Sequence, residues 1–349
     1  GWDVAVIPNR SQDLIREIDL IEEIARLIGY DRFDSNLPYP IKPGKLSPEQ
    51  LALRKIKNGF VENGFNEVLS YSLVPEDNDT NIKISNPLLF ETSCLRDNIW
   101  KEHLEIVNRN IKAGQTSCYV FEVGNVFYEN TDLIQEEILN GAIFGNRTFG
   151  KWVYSGKDND LNYYQARGKL KESLSCLKIK VEDKPSDSID FLHPGRTAKL
   201  FIEGKDAGYF GEIHPKLIIE KKALKKVYLF SININNLLSA STRKNKWVPL
   251  YKQFPIVPKI ERDINFIFSK KYLISQITSE IRKTGKNLLE DVCLLDIFED
   301  TSLGEDCISY TFRLSYRDKD KTLLDKDISL IHSNIISKVE KSFNTKLRK

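Results

Sequence analysis

The chain has 349 residues, a length that predicts two or three domains rather than one. Its hydrophobic fraction of 41% and charged fraction of 29% are typical of a globular protein with a sizeable core. The net charge of only +3 restricts any nucleic-acid site to a local patch, and no run of about 20 apolar residues predicts a membrane span.

The first predicted helix lies within residues 11–30 and combines an apolar stripe with acidic side chains. The stripe, which we expect to be buried, consists of Leu14, Ile18, Ile21, Ala25 and Ile28. Asp19, Glu22 and Glu23 share a face beside it because they stand at i, i+3 and i+4, and Asp13 can fold back from the preceding turn. Such carboxylates suit Mg²⁺, but spacing alone favours an ordinary solvated face.

A linker and a second α+β region follow this helix. Residues 33–50 contain four prolines and one glycine and predict a linker. The next helix is predicted to begin near Ser47, with Pro48 in its first turn. From there to about residue 250, short strands in neighbouring pairs alternate with helices. This order predicts an antiparallel sheet in an α+β domain.

Polar side chains in this middle region are candidate functional groups. His193 and His214 each precede a proline, which favours plain turn residues over an acid–base pair. Arg96 stands at a predicted helix entry. It is a candidate ligand for a phosphate or carboxylate, but a surface ion pair with Asp97 or Glu102 is favoured.

From residue 252 the predicted order is strand, helix, strand, strand, helix, short strand, which is the ferredoxin-like plan. The first of these helices is predicted to end before Gly285. One strand alternates, with Ile308, Tyr310, Phe312, Leu314 and Tyr316 on the inner face and Ser309, Thr311, Arg313 and Ser315 on the outer face. A polar sheet face suits single-stranded RNA, although a small-molecule regulatory or structural module fits the same composition.

The predicted ferredoxin-like module is also the basic part of the chain. It contains 18 Lys and Arg against 15 Asp and Glu, an excess that equals the net charge of the whole chain. The candidate phosphate contacts are Arg262, Arg313, Arg317, Lys319, Lys321, Arg348 and Lys349. Of these, Arg313 lies on the polar face of the alternating strand.

Cysteine and histidine spacing predicts neither a disulfide framework nor a zinc site. The five cysteines include no Cys-x-x-Cys pair, and the four histidines include no His-x-x-x-His pair. Reduced thiols predict a cytoplasmic protein. The chain begins at Gly1 and contains no Met, which predicts a fragment of a longer protein.

Together these segments resemble the β-subunit family of bacterial-type phenylalanine–tRNA ligases. The motifs, in chain order, are PNRSQDLIREIDLIEEIARLIGYDR, ISNPLLFETSCLRDNIWKEHL, YVFEVGNVFY, LHPGRTAKLFIEGKDAGYFGEIHP, FPIVPKIERDINFIF and DKTLLDKD. They fall in family order and cover nearly the whole chain. The ordered set is therefore much more specific than any single motif.

The resemblance implies an α+β chain in three regions. Residues 1–40 are similar to the C-terminal half of a metal-binding, winged-helix-like domain. Residues 41–250 are similar to a class II synthetase-like antiparallel sheet core, and residues 252–349 to a ferredoxin-fold anticodon-binding domain. The implied Mg²⁺ ligands are Asp13, Asp19, Glu22 and Glu23.

The resemblance also implies partners and a location. The family forms a tetramer of two α and two β subunits, in which the α subunit attaches phenylalanine to tRNA(Phe) with ATP. We therefore expect this chain to hold Mg²⁺, bind tRNA and assemble with the α subunit in the cytoplasm, without a membrane.

Departures from an active synthetase predict a core with no catalytic residue. YVFEVG lacks the arginine of the Phe-Arg-x-Glu motif that binds ATP, and no Gly-rich segment ending in arginine follows. The family's tRNA-binding N-terminal domain and editing domain are also not found. We expect the chain alone to be inactive. The alternatives are a stand-alone RNA-binding or regulatory protein with a ferredoxin-like domain, and an independent ATP-dependent ligase.

Overall fold

The computed structural model describes residues 3–10, 12–37, 43–76, 82–145, 160–220, 226–243, 251, 253–300, 303–304, 306–318 and 321–348. The chain divides into two compact units, residues 1–248 and residues 249–349. Helices and strands alternate in both, which confirms the predicted α+β class. Within the described ranges, no helix is long and apolar enough to cross a membrane.

The first unit is built on a seven-stranded sheet. Its helices are α1 (Glu17–Ile28), α2 (Pro48–Glu62), α3 (Trp100–Lys112), α4 (Tyr163–Ser175), α5 (Pro215–Glu220) and α6 (Ile234–Ser241). Its strands are β1 (Asn66–Glu67), β2 (Leu73–Val74), β3 (Cys94–Leu95), β4 (Ser117–Glu129), β5 (Leu133–Gly145), β6 (Val181–Pro185), β7 (Leu192–Ile202), β8 (Lys205–Ile213) and β9 (Val227–Asn233). The sheet order is β1-β4-β5-β9-β8-β7-β6, and β2 and β3 form a separate pair.

This sheet is antiparallel except at its edge, where the short β1 runs parallel to β4. Its two faces carry different cores because side chains alternate along each strand. The larger core includes Phe60 of α2, Phe121 of β4 and Phe230 of β9, whose rings stack. The smaller core packs beneath α3, around Leu104, Val120 and other apolar side chains.

Local sequence determines where several helices begin. The Ser47 hydroxyl accepts a hydrogen bond from the Gln50 backbone N–H, and the Gln50 side chain accepts one from the Ser47 N–H. This capping box confirms the predicted start of α2. Asn162 and Gln165 form the same arrangement at the start of α4.

Helix α1 departs from the prediction that its apolar stripe is buried. No residue of α1 is buried, and Ile18, Ile21 and Ile28 are all exposed, while Ala25 is half-buried. The spacing predicted the helix itself correctly. The burial prediction was wrong because none of the described residues cover the stripe.

The second unit has the predicted ferredoxin-like order. It consists of β10 (Ile260–Ser269), α7 (Ile274–Gly285), β11 (Leu289–Phe298), β12 (Cys307–Tyr316), α8 (Asp325–Phe343) and β13 (Lys346–Leu347). The strands form an antiparallel sheet in the order β11-β12-β10-β13. Both helices cover one face, and the inner face of β12 is buried as the alternation predicts.

The end of α7 differs from the prediction. Gly285 is the last helical residue and has an ordinary φ of −71°, whereas the left-handed φ of +50° falls on Lys286. Glycine is required at 285 by packing instead. A Cβ atom there would lie 2.4 Å from Leu289 Cδ2, a distance that side chains do not tolerate.

Candidate functional site

The acidic side chains of α1 mostly contact their own helix. Asp19 Oδ2 accepts hydrogen bonds from the backbone N–H groups of Ile15 and Arg16, at 3.1 and 2.8 Å. These bonds, the one from Arg16 first, hold the pKa of Asp19 below its usual value despite partial desolvation. Glu23 pairs with Arg26 at 2.5 Å.

This arrangement does not fit a metal ion. In the described part of the chain, no group of three or more Asp, Glu, His or Cys side chains is placed to hold one. Asp13, Asp19, Glu22 and Glu23 are therefore not brought together as a ligand set. Asp19 and Glu23 accept hydrogen bonds from residues close to them in the chain, Asp19 from Ile15 and Arg16 and Glu23 from Arg26.

Arg96 lies at the centre of a buried polar cluster in the first unit. Its Nε donates to the Asn125 carbonyl at 2.8 Å, Nη1 to the Ser70 hydroxyl at 2.8 Å, and Nη2 to Glu122 Oε1 at 3.0 Å. The residue is 2% exposed. The favoured surface pair with Asp97 or Glu102 was wrong, because Arg96 is buried and binds the carboxylate of Glu122 on β4.

Glu122 is the acceptor that organises this cluster. Its Oε2 accepts from the Ser70 hydroxyl at 2.5 Å and from the Ser70 N–H at 3.2 Å. His103 Nε2, also buried, lies 3.5 Å from the same oxygen. Burial alone raises the pKa of Glu122, but the adjacent His103 ring, the hydrogen bonds from Ser70 and the charge of Arg96 lower it overall.

Glu102 and Gly124 border the buried cluster of Arg96 and Glu122. Glu102 also faces it from α3, and burial raises the pKa of that carboxyl. Gly124 allows the guanidinium to lie flat against β4, because a Cβ atom at this position would lie 2.5 Å from Arg96 Nη2. A larger residue at 124 would displace Arg96.

A row of polar residues crosses the same face of the sheet. Glu122 of β4 lies opposite Asn140 of β5, Asn140 opposite Ser231 of β9, and Ser231 opposite Tyr209 of β8. All except Tyr209 are less than a tenth exposed, and burial raises the pKa of Tyr209. Helix α3 covers the Glu122 end of the row. Beyond Tyr209 the row continues on the same face to Lys199 of β7 and Lys184 of β6, of which Lys184 is exposed.

The two candidate histidines act as turn residues. His193 Nδ1 accepts the Gly195 N–H at 3.0 Å, and His214 Nδ1 accepts the Lys216 N–H at 3.2 Å. In each histidine the Nδ1 atom therefore accepts a hydrogen bond from the backbone of the turn that the histidine begins. This supports the favoured interpretation rather than an acid–base pair. Nearby, Arg196 pairs with Glu212 at 3.0 Å.

In the second unit, Arg313 lies on the outer sheet face as predicted, but it is paired. Its Nε and Nη2 donate to the two carboxylate oxygens of Asp263, each at 2.8 Å, and Glu261 lies 3.7 Å from Nη1. The Asp263 hydrogen bond raises the pKa of Arg313 and holds that of Asp263 below its usual value. The positive charge of Arg313 is largely neutralised in this geometry.

The other candidate RNA contacts differ in pairing. Arg262 pairs with Asp325, and Arg317 Nε lies 3.0 Å from Glu290. Lys321 and Arg348 are exposed, and the described residues place no carboxylate within ion-pair distance of either side chain. Lys319 and Lys349 lie outside the described residues.

One aromatic residue that was not predicted accompanies Arg348. The Arg348 guanidinium lies 5.3 Å from the centre of the Phe298 ring, and Phe298 is 43% exposed. Beside them, Asn265 bridges Thr311 and Ser309 with two hydrogen bonds of 2.8 Å. An exposed aromatic ring, an unpaired guanidinium and polar groups are the parts that RNA-binding sheets use. An aromatic residue at the end of β11 was the available signal in the sequence.

Two family profiles match the chain. The profile described as "Phenylalanyl tRNA synthetase beta chain CLM domain" matches residues 35–234. The profile described as "Ferredoxin-fold anticodon binding domain" matches residues 255–348. The first of these profiles alone covers more than half of the chain.

Over its whole length, this chain is similar to curated proteins named "Phenylalanine--tRNA ligase beta subunit". Identity is 83% over 348 residues with the protein of Prochlorococcus marinus (strain MIT 9312) and 67% over 348 residues with that of Prochlorococcus marinus subsp. pastoris (strain CCMP1986 / NIES-2087 / MED4). It is 43% over 350 residues with that of Synechococcus sp. (strain CC9902). All of this chain is covered in each case, but only 43%, 42% and 43% of the relatives.

Removing Arg96 should strongly destabilise the first unit. We expect Arg96→Ala to lower the free energy of unfolding by about 3–5 kcal/mol, because it leaves the Glu122 carboxylate buried without its charge partner. Arg282→Ala is the control, since its pair with Asp291 has both side chains at least half exposed and should contribute less than about 1 kcal/mol. Chemical denaturation measures both. Equal losses would contradict a special role for the buried pair.

The contribution of Glu122 should depend on pH. Its folded pKa is depressed below the ordinary value of 4.5, so its ionised form stabilises the folded state above that pH, and the benefit is lost as the pH falls through the folded pKa. The stability difference between wild type and Glu122→Gln should therefore be largest near neutral pH and shrink below pH 4.5. Urea denaturation at several pH values measures it. A difference that grows on acidification would refute the assignment.

Proposed function

The chain belongs to the phenylalanyl-tRNA synthetase β-chain family, and on that premise we propose that it works as part of a non-catalytic subunit of a phenylalanine–tRNA ligase. The chain spans about two fifths of the length of the curated relatives it matches. The reaction of the whole enzyme is the ATP-dependent attachment of phenylalanine to tRNA(Phe), in the cytoplasm.

The observation that supports a non-catalytic role is the position of Glu122. In YVFEVG, Phe121 corresponds to the phenylalanine of the Phe-Arg-x-Glu motif, so a carboxylate stands where an active synthetase has its ATP-binding arginine. A carboxylate repels a phosphate instead of stabilising its charge. The nearest arginine, Arg96, is buried and paired with that carboxylate.

Catalysis must then come from another chain. A subunit whose sheet lacks the cationic clamp supplies structure and binding, and the α subunit supplies phenylalanine activation and transfer. The family match favours this role over a stand-alone RNA-binding or regulatory protein and over an independent ligase.

We assign tRNA binding to the outer sheet face of the second unit. The match to an anticodon-binding domain supports this role. Exposed Arg348 and Lys321 are better placed for phosphate contacts than Arg262, Arg313 or Arg317, because those three would have to break ion pairs first. Phe298 supplies a ring on which a base can stack.

The Mg²⁺ site at Asp13, Asp19, Glu22 and Glu23 stays a prediction from the resemblance. The present side-chain positions do not fit an ion, so we assign Mg²⁺ no part in any step of the reaction. Binding would require these carboxylates to turn toward a common point, since the described residues place no group of three or more acidic side chains around one.

Pyrophosphate exchange tests the non-catalytic role. The chain alone should show no phenylalanine-dependent exchange between ATP and pyrophosphate, because Glu122 stands where an active synthetase has its ATP-binding arginine. The complex of the full-length β subunit with its α subunit should show exchange. Activity of the isolated chain would overturn the proposal, and a complex that fails to form would overturn the assignment as a β subunit.

Salt dependence of tRNA binding separates the candidate arginines. A phosphate contact contributes about one unit to the slope of log K against log salt concentration. We expect Arg348→Ala to flatten this slope by roughly that amount, and Arg313→Ala to flatten it less, because Arg313 is already neutralised by Asp263. Fluorescence titration of tRNA(Phe) into the complex gives both slopes. A larger change for Arg313→Ala would restore Arg313 as the main phosphate contact.

Phe298→Ala should weaken the binding of tRNA(Phe) to the complex without changing the slope of log K against log salt concentration. The reason is that base stacking neutralises no phosphate charge, and the same fluorescence titration measures both quantities.

Elemental analysis tests the metal site. If Mg²⁺ binds at α1, the purified complex should contain it, Asp19→Asn should lose it, and Asp187→Asn, a change at an exposed acidic residue of the first unit, should retain it. Equal Mg²⁺ content in both variants would show that the acidic side chains of α1 bind no Mg²⁺ and form an ordinary solvent-exposed helix face.

A further inference from the structure

Two lysines lie directly opposite each other near one edge of the seven-stranded sheet. In the antiparallel pairing of β6 with β7, Lys184 is the partner of Lys199. Their Cβ atoms are therefore about 5 Å apart on one face, and like charges at such positions destabilise a sheet. Lys199 is also half-buried, although lysine is seldom withdrawn from water without a charge partner. The packing of the sheet does not explain this arrangement.

No carboxylate neutralises the lysine pair. Among the described residues, neither lysine has an acidic side chain within ion-pair distance. Glu182 pairs instead with Lys180 at 2.6 Å, and this hydrogen bond, with a smaller contribution from the charge of Lys184, holds the pKa of Glu182 below its usual value. Asp206 of β8 accepts the Gly208 N–H at 3.1 Å. The two ammonium groups therefore keep their positive charge.

Protection of the sheet edge explains only one of the two lysines. Strand β6 is the last strand of the sheet, and a lysine on such a strand discourages pairing with another chain. Lys199, however, belongs to β7, which has a neighbouring strand on both sides. Its position therefore requires a different reason.

Aromatic rings flank the two ammonium groups. Lys184 Nζ lies 4.0 Å from the centre of the Phe201 ring, and this cation–π contact keeps the ammonium on the same face as Lys199. Tyr209 of β8 lies opposite Lys199, and both rings are half-buried. This part of the sheet therefore combines two cations with two partly accessible rings.

We propose that Lys184 and Lys199 bind the phosphate group of a small organic phosphate ester, whose organic part contacts the rings of Phe201 and Tyr209. A doubly charged phosphate removes the repulsion between the two lysines. Lysine binds phosphate as a point charge, whereas the planar fork of arginine is the better match for a carboxylate. The pair therefore suits a phosphate rather than a carboxylate.

This site is separate from the position at which an active synthetase binds ATP. Four strand spacings, roughly 19 Å, separate Glu122 from Lys199 along the polar row. A phosphate at the lysine pair leaves the buried bond between Arg96 and Glu122 intact. The proposal therefore goes beyond the proposed function and does not depend on it.

The charges around the lysine pair argue against an RNA backbone as the occupant. An RNA strand brings a row of phosphates and needs cations along its path. Glu182 on β6 and Asp206 on β8 both lie opposite Phe201, next to the lysines on the same sheet. These carboxylates would repel the neighbouring phosphates of a strand. A single phosphate group avoids that repulsion.

Equilibrium dialysis with radiolabelled inorganic phosphate tests the site in the complex of the full-length β subunit with its α subunit. The double variant Lys184→Gln/Lys199→Gln should raise the Kd of one phosphate per β subunit at least tenfold, because both cations are removed. The control is Lys171→Gln, which changes an exposed lysine of α4 on the other face of the sheet and should bind as wild type does. Equal binding by wild type and the double variant would overturn the proposal.

The melting temperature of the complex gives a second readout. In phosphate-free buffer, Lys184→Gln should melt at or above the wild-type temperature, because it removes a like-charged neighbour. Added phosphate should stabilise wild type more than the variant, since a ligand of the folded state raises its stability. Sodium chloride at the same ionic strength corrects for general salt effects. A variant that melts below wild type without phosphate, or equal shifts with it, would contradict the proposal.

Competition identifies the class of ligand. Phenyl phosphate should displace the labelled phosphate at a lower concentration than unlabelled inorganic phosphate does, because its ring contacts Phe201 and Tyr209. Equal potency would refute an organic ester as the ligand. Displacement by tRNA(Phe) of the phosphate that the double variant fails to bind would assign the site to RNA and overturn the proposal. If the subunits do not form a complex, the proposed function fails, and dialysis of the full-length β subunit alone decides this proposal.

Discussion

The buried ion pair between Arg96 and Glu122 is the constraint on which the first unit depends. It joins residues 26 positions apart, and the same guanidinium also reaches the Asn125 carbonyl and the Ser70 hydroxyl. Apolar residues of similar volume often match the stability of a buried pair. Apolar residues cannot reproduce the geometry of the pair. The planar guanidinium of Arg96 donates to three partners, and these bonds hold the segment before α3 in one position against β4.

Much of the fold follows from local patterns in the sequence. The capping box at Ser47 and the alternation along β12 are short-range signals, and the helix and strands they predict are present. The stripe on α1 predicted a helix correctly, but burial requires a covering surface that a local pattern does not describe. At Gly285 a glycine was interpreted as a turn residue, although contact with Leu289 is what excludes a side chain there.

The candidate site was less predictable because cross-strand register decides which charges meet. Asp263 lies directly opposite Arg313 in the pairing of β10 with β12, a position 50 residues away in the sequence. Composition identified the basic residues of this unit, but could not say that Arg313 is paired while Arg348 has no carboxylate partner among the described residues. Ser70 and His103 were missed for the same reason, since their partner Glu122 lies on a distant strand.

The proposed non-catalytic role of the first unit depends on a single carboxylate, that of Glu122. With an arginine at position 122, the serines of residues 68–74 would face a cation and lose the acceptor that holds Ser70. With Glu122, Ser70 and Arg96 have a buried acceptor, and under the proposed function the arginine that would bind ATP is absent from this position. Buried polar groups must be satisfied, so the inward side of the segment is fixed and its apolar side chains must point outward. The proposed absence of an ATP clamp and the buried polar cluster around Ser70 therefore depend on the same residue.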